Sequence, residues 1–182
     1  MTHANMAAIT PDYDLLILPH SESVRDIYEQ HFEQMFEAGL TYSPDCGFDI
    51  YFYETTYVPS GVYGLMVPTG ISCEMIDHDT GESVHYTIAT RSRIAKTPIR
   101  MALTQGIIER DYRGEIIVPI DNLTDDDFEI ESGSSYFRIL PPVINGRIYP
   151  RIVDELTETD RGSSGFGSTG GNVSSRRFYA QM

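Results

Sequence analysis

Hydrophobic positions change their spacing along this chain at about residue 40. Before that point Val24, Ile27, Tyr28, His31, Phe32, Met35 and Phe36 recur at i, i+3, i+4 and i+7, the spacing that gathers side chains on one face of a helix. It predicts a helix over residues 22–38, with Ser21 or Ser23 to cap its start and Gly39 to end it. His31 lies on the apolar face and reads as a packed, hydrogen-bonded histidine rather than a ligand. Ahead of the helix, residues 13–18 read as a short strand stopped by Pro19. After Leu40 the runs become short, β-branched and aromatic: 48–53, 64–67, 71–75, 85–89, 115–120, 128–130, 136–140 and 147–153. Turn signals such as Pro59-Ser60-Gly61, Pro68-Thr69-Gly70 and Asp79-Thr80-Gly81 separate them. Many short strands without alternating helices predict an all-β sandwich or barrel rather than a parallel sheet. There is no internal repeat. From Gly162 onward the chain is rich in Gly and Ser, the composition of a mobile arm, which contains Arg176 and Arg177.

Composition narrows the class. The 182 residues are 41% hydrophobic and 22% charged, ordinary globular values that make wholesale disorder a poor description. That length supports one domain with its own core. A net charge of -14 excludes a generic binder of nucleic acid, which needs a basic surface. The charge is uneven, however. Residues 1–90 hold 14 acidic residues and one basic residue, whereas Arg91, Arg93, Lys96 and Arg100 share one ten-residue window with no carboxylate. Exposed charges are screened beyond about 8 Å, so a local cationic site is compatible with an acidic chain. Two cysteines, Cys46 and Cys73, make no disulfide framework and point to a reducing compartment. The first residues lack the basic and apolar regions of a secretory signal, and the longest apolar run, Leu15 to Leu18, is far too short to span a membrane. The expectation is a soluble intracellular protein with no membrane or nucleic-acid partner.

Several motifs can be set aside. Gly165-Phe-Gly-Ser-Thr-Gly170 matches the letters of a dinucleotide fingerprint, but twelve residues remain after it, too few for the strand–helix–strand unit that motif requires. Lys96 follows Ala95, which excludes a P-loop. The five histidines and two cysteines lack zinc spacing, and no nucleophile elbow is present. What remains is phosphate chemistry. A Gly-rich backbone beside Arg161, Ser168 and Thr169 can offer N–H groups, hydroxyls and a guanidinium to phosphate oxygens. Taken alone, such a tail is more often a linker and the basic window a solvated face.

In combination the segments resemble a known family. Residues 89–100, continuing through 106–116, are similar to the second and third motifs of trimeric dUTPases. Arg161-Gly-Ser-Ser-Gly-Phe-Gly-Ser-Thr-Gly170 resembles their fifth motif almost letter for letter. Asp45-Cys-Gly-Phe-Asp-Ile50 is similar to the first, with Asp49 at its acidic position, and Gly133 to Pro142 stands where the fourth belongs. The motifs run in family order across residues 45–170. Departures are Thr90 for the usual Pro, Arg93 for a Ser, Leu103 for an Asn, Arg138 for a Gln and, in the third motif, Glu109 for the catalytic Asp. Asp111 lies two residues on. The related dCTP deaminases place a catalytic Glu at a position that here matches Pro119, which argues against deamination.

The resemblance implies a jelly-roll-like distorted β-barrel over residues 41–160, with the strand and helix of residues 1–40 added in front and a flexible arm over 161–182. It implies a homotrimer with active sites at subunit interfaces and an arm donated by a neighbour. The implied reaction is Mg²⁺-dependent hydrolysis of dUTP to dUMP and pyrophosphate, with water attacking the α-phosphorus and Glu109 as general base. Asp49 would contact the water shell of Mg²⁺, Arg91 and Ser92 would hold phosphate oxygens, and Arg161 the γ-phosphate. Tyr112 would be the sugar platform, and main-chain groups of a hairpin ending at Gly106 would read uracil. Phe166 would cover the base, with Gly165, Gly167, Ser168 and Thr169 around the phosphates. Arg138 and Arg93 read equally as extra phosphate clamps or as marks of lost activity. The second function class is therefore a dUTPase-fold binding protein with little catalysis.

Overall fold

In the computed structural model, which describes residues 12–164, the chain opens on strand β1 (Asp12–Pro19) and helix α1 (Glu22–Glu37). There follow β2 (Phe48–Ile50), β3 (Thr56–Val58), β4 (Leu65–Pro68), β5 (Ile71–Asp77), β6 (Ser83–Val84) and β7 (Tyr86–Thr90). A turn of 3-10 helix, Ser92–Lys96, leads to β8 (Ile99–Met101), β9 (Gly106–Ile108), β10 (Ile117–Asn122), β11 (Phe128–Ile130), β12 (Phe137–Leu140) and β13 (Arg147–Ile152). Strands hold 37% of the described residues and helix 14%, the expected all-β architecture with one added helix. The sheets run β13-β1-β5-β6, β4-β10-β8, β11-β3 and β2-β12-β7-β9, a distorted jelly roll whose pairings, among the described residues, do not join into one continuous barrel.

Alternation of side chains explains the layering. Tyr13, Leu15 and Ile17 of β1 are buried, as are Val67 of β4, Val118 and Ile120 of β10, and Phe137 and Ile139 of β12. β1 pairs in parallel with β13 and antiparallel with β5. Its outward Asp12 and Asp14 take the charges of Arg147 and Arg151, with His78 2.8 Å from Asp14. β5 is buried on both faces over Ile71–Met75, including Glu74.

The helix forms as its periodicity predicts. Ser21 caps it, accepting the Val24 N–H at 3.4 Å, and Gly39 ends it at φ 74°. Val24, Tyr28 and Phe32 face inward, while Phe36 at the end of the same stripe is 55% exposed. The Tyr28 hydroxyl accepts the Tyr51 N–H at 3.2 Å, and burial pushes its own ionisation far up. Close approach of the helix start needs Gly70: a Cβ there would lie 2.7 Å from Val24 Cγ2 and 2.9 Å from the Tyr53 ring. His31 stacks on Tyr51 with ring centroids 3.7 Å apart, so its packing is aromatic, and burial lowers its basicity. No helix among the described residues is long and apolar enough to cross a membrane.

Candidate active site

The outer face of the sheet β2-β12-β7-β9 carries the site residues. Asp49, Arg138 and Ala89 stand opposite one another on adjacent strands, and Thr87 stands opposite Ile107. Side chains alternate, so these residues face out while Phe48, Ile50, Phe137, Ile139, Tyr86 and Ile88 point into the core.

One end of this face is a charge cluster. Arg91 Nη1 donates to Asp49 Oδ2 at 2.7 Å and Arg138 Nη2 to Asp49 Oδ1 at 3.1 Å. Arg138 also reaches Asp45 at 3.3 Å and Cys46 Sγ at 3.4 Å, and its buried Nε has no partner. Burial raises the Asp49 carboxyl above its ordinary value against the pull of Arg91 and Arg138. Arg91 extends the β7–β12 ladder, donating its N–H to Tyr136 O at 2.8 Å, which fixes the guanidinium's starting point. Ser92 then begins the 3-10 turn, exposed, with Ile94 buried as the turn's anchor. Two more members of the basic window have structural partners: Arg93 stacks over Tyr136 at 5.0 Å, and Arg100 donates to Thr97 O at 2.7 Å. Beside Asp49 a cleft of about 250 Å³ opens between α1 and the segment before β2, with His31, Met35, Asp45 and Tyr51 among its walls. Burial pushes the Tyr51 hydroxyl up to about 12.

The opposite end is open. Glu109 follows β9, and its Oε2 lies 2.8 Å from His85 Nδ1, which also accepts the Arg110 N–H at 3.1 Å. With Tyr112, Glu115, Ile117 and Arg161 it borders a pocket of about 90 Å³, room for about three waters. Tyr112 donates its hydroxyl to Glu115 O at 2.9 Å, and burial raises its ionisation. This folded-back ring requires Gly114, where a Cβ would overlap it. Arg161 lies 5.9 Å from the Tyr112 ring centre and 3.5 Å from Asp111, so Asp111 is engaged with this arginine.

Arg161 is brought there by a network that sequence reasoning missed. Glu74, 1% exposed, accepts from Arg113 at 2.8 Å, from the Thr157 hydroxyl at 2.8 Å, from the Thr157 N–H at 3.1 Å and from Ser83. Arg113 N–H donates to Gly162 O at 2.8 Å, and Thr159 donates to Asp111 O. Burial raises the Glu74 carboxyl, but these hydrogen bonds and Arg113 outweigh it and hold it below the ordinary value. The available signal was one glutamate inside the apolar run Ile71 to Ile76.

The structure thus gathers Asp49, Arg91, Ser92 and Arg138 at one end, and Glu109, Tyr112 and Arg161 at the other. Ala89 on β7 and His85 just ahead of it mark the two levels, four residues and about 13 Å apart along the extended chain. Gly106 of β9 pairs with Ile88 of β7, but β8 pairs with β10, so the segment before Gly106 crosses between sheets and is not a paired hairpin as expected. Pro119 O takes the Ala102 N–H at 2.9 Å, holding that strand to β10 while β7 takes β9. Gly165, Phe166, Gly167, Ser168 and Thr169 lie outside the described residues.

As a metal site the donor set is thin. Among the described residues no three His, Cys, Asp or Glu side chains cluster to hold an ion, and both Asp49 oxygens already meet guanidinium groups. Asp49 is thus the one carboxylate of this cluster placed to meet a cation, and it would do so through the ion's water shell, the mode hard divalent cations prefer.

A family model described as dUTPase matches residues 38–170. The deoxyuridine 5'-triphosphate nucleotidohydrolase of Brucella melitensis is 41% identical over 107 residues, 58% of this chain and 64% of that protein, so the chain spans just under two thirds of its length. The protein of that name from Gloeothece citriformis is 37% identical over 131 residues, 71% of this chain and 85% of that one. Among solved structures, the Staphylococcus bacteriophage 80alpha dUTPase overlays with a TM-score of 0.49 at 16% identity, over 80% of this chain and 96% of that one.

Proposed function

The chain belongs to the dUTPase family, and we propose on that footing that it hydrolyses dUTP to dUMP and pyrophosphate. The observation that carries this reading is the pocket in which the Glu109 carboxylate, the Tyr112 ring and the Arg161 guanidinium converge. A carboxylate for a proton, a flat apolar platform and a cation are what a hydrolysed nucleoside triphosphate needs beside its reacting phosphorus.

Arg91 and Ser92 bind phosphate oxygens, exchanging part of the Arg91–Asp49 contact for the substrate. Arg138 sits beside them as a second guanidinium, and Arg161 takes the γ-phosphate. Glu109 accepts a proton from water as its oxygen bonds to the α-phosphorus; the bond from that phosphorus to the bridging oxygen breaks, and pyrophosphate leaves with the electron pair. Tyr112 packs under the deoxyribose, and the backbone around Gly106 reads the uracil edge through N–H and C=O groups. Asp49 is the residue that would hold Mg²⁺, through the ion's water shell, and the ion, when bound, would supply charge neutralisation of the phosphate oxygens. Phe166 is proposed to bind the base, and Gly165, Gly167, Ser168 and Thr169 the phosphates; all five lie outside the described residues.

A base works within hydrogen-bond reach of its water, and a step of about 13 Å between the two clusters is far greater. That separation supports completion of each site between subunits of a homotrimer, with Glu109 of one chain facing Arg91 and Ser92 of another.

Pyrophosphate release from dUTP, dTTP, dCTP and UTP with Mg²⁺ tests the reaction. Turnover is expected for dUTP with strong discrimination against the others. No release from dUTP, or equal release from dTTP, contradicts it.

A further inference from the structure

We propose that His85 is a positioning residue that decides whether the Glu109 carboxylate is free to take a proton from water. The inference rests on the reading of Glu109 as the base. It begins from a conflict at one atom: His85 Nδ1 faces Glu109 Oε2 at 2.8 Å and the Arg110 N–H at 3.1 Å. The first partner, when ionised, only accepts a hydrogen bond; the second only donates. A bare Nδ1 satisfies Arg110 and turns a lone pair toward the carboxylate, which is then released. A protonated Nδ1 satisfies Glu109, opposes the Arg110 N–H and ties down the oxygen that must receive the water's proton. The two partners cannot be satisfied together, so His85 has two arrangements and Glu109 follows them.

The sheet explains the meeting. The β7–β9 pairing ends at Tyr86 and Ile108, so the next residues outward, His85 and Glu109, face each other where the ladder has stopped. Glu109 N-terminally begins the turn closed by the Tyr112 N–H to Glu109 O bond of 3.0 Å, and the Arg110 N–H of that turn points back at the imidazole. The glutamate's extra methylene, relative to aspartate, gives its carboxylate the reach for two positions. The charged groups facing the pair are Arg110 and Asp111 from the turn, Glu115 ahead of β10 and Arg161 from the C-terminal segment. Glu82, Arg113 and Glu158 stand with Arg110 and Asp111 over the lip of that turn. Tyr112 closes the pocket's other side. Solvent reaches both members, whose side chains are 56% and 44% exposed, so protonation of the imidazole needs no unfolding.

Imidazoles titrate near pH 6.5 and carboxylates near 4.3, so the switch operates where a lone carboxylate base stays ionised. The experiment compares kcat/KM for dUTP from pH 8 to 5.5 in the parent protein and in His85→Asn, which keeps an acceptor for Arg110 without titrating. The readout is the ratio of the two profiles, each scaled to its own value at pH 8, because the terminal phosphate of the substrate titrates in the same range and cancels. The ratio of variant to parent should rise about tenfold by pH 5.5. A flat ratio overturns the proposal and identifies His85 as a turn cap alone. Glu109→Gln separates the two levels: retained turnover removes the base reading and this inference with it, whereas lost turnover beside a flat ratio removes this inference alone.

Discussion

At one end of the outer sheet face, Asp49 is held between Arg91 and Arg138 with 16% of its side chain exposed; at the other, Glu109 keeps 44% exposed and meets an imidazole. The first carboxylate is fixed by strand register and paired twice. The second sits beyond the last ladder pair, on a turn. Fixed and half-buried charges contribute to the fold as well as to ligand binding, because removing one partner leaves the other desolvated and unpaired. An exposed carboxylate with room to move contributes little to stability and is available for proton transfer. Substitutions at the two ends should therefore separate folding from rate.

The largest effect belongs to the open end. Glu109→Gln should lower kcat by about 10²–10⁴-fold while dUTP still binds and the thermal midpoint barely moves; pyrophosphate release, calorimetric titration and a melting curve check the three parts. A substantial drop in stability would erase the contrast with Asp49. Next comes Arg138→Ala, which strips Asp49 of one guanidinium and should cost about 3 kcal/mol in urea unfolding. A neutral result there would make the charge cluster a binding device alone.

The third prediction concerns the anchor that brings Arg161 to the pocket. Glu74→Gln should cost about 2 kcal/mol at pH 7, because a buried carboxylate loses its ion pair with Arg113. Glu74 is held below its ordinary value of 4.5, so its contribution is complete above that pH and is lost as the pH falls through the lower folded value. The stability difference between parent and variant should shrink in that acid window; a difference that stays constant there contradicts the assignment. The smallest effect is Tyr112→Phe, which keeps the ring but removes the hydroxyl bond to Glu115 O. It should cost about 1 kcal/mol of stability and leave the platform in place.

How much of this was legible beforehand depends on which physical level carried the information. The α1 periodicity was readable from Val24 to Phe32 because one helix face is a local property, and Ser21 and Gly39 marked its ends. Strands with long β-branched or aromatic runs, such as β5 and β12, were readable for the same reason. β3, β6, β8 and β9 were not, since two or three residues such as Ser83–Val84 carry no period of their own and become strands through their partners. The site divided in the same way. Motif order named Asp49, Arg91, Glu109 and Arg161, but the Asp49–Arg138 pairing follows from β2–β12 register and the His85–Glu109 contact from where β7–β9 pairing stops. Glu74, Arg113 and Thr157 meet across 83 residues of sequence, beyond any local pattern. The basic window was open to two readings, a cationic site or a solvated face, and Arg93 and Arg100 are engaged with Tyr136 and Thr97.

The central claim is that the two ends of this sheet face serve one reaction by meeting across subunits. Its most direct test is complementation between Glu109→Gln and Arg91→Ala chains, each inactive alone, co-expressed with different tags and isolated as assemblies carrying both. If Glu109 and Arg91 of a working site come from neighbouring chains of a trimer, each assembly carrying both variants has about one third of its sites intact, and dUTP turnover should recover to that fraction of the parent's. Turnover no higher than that of either variant alone, in assemblies shown to contain both chains, would contradict the account.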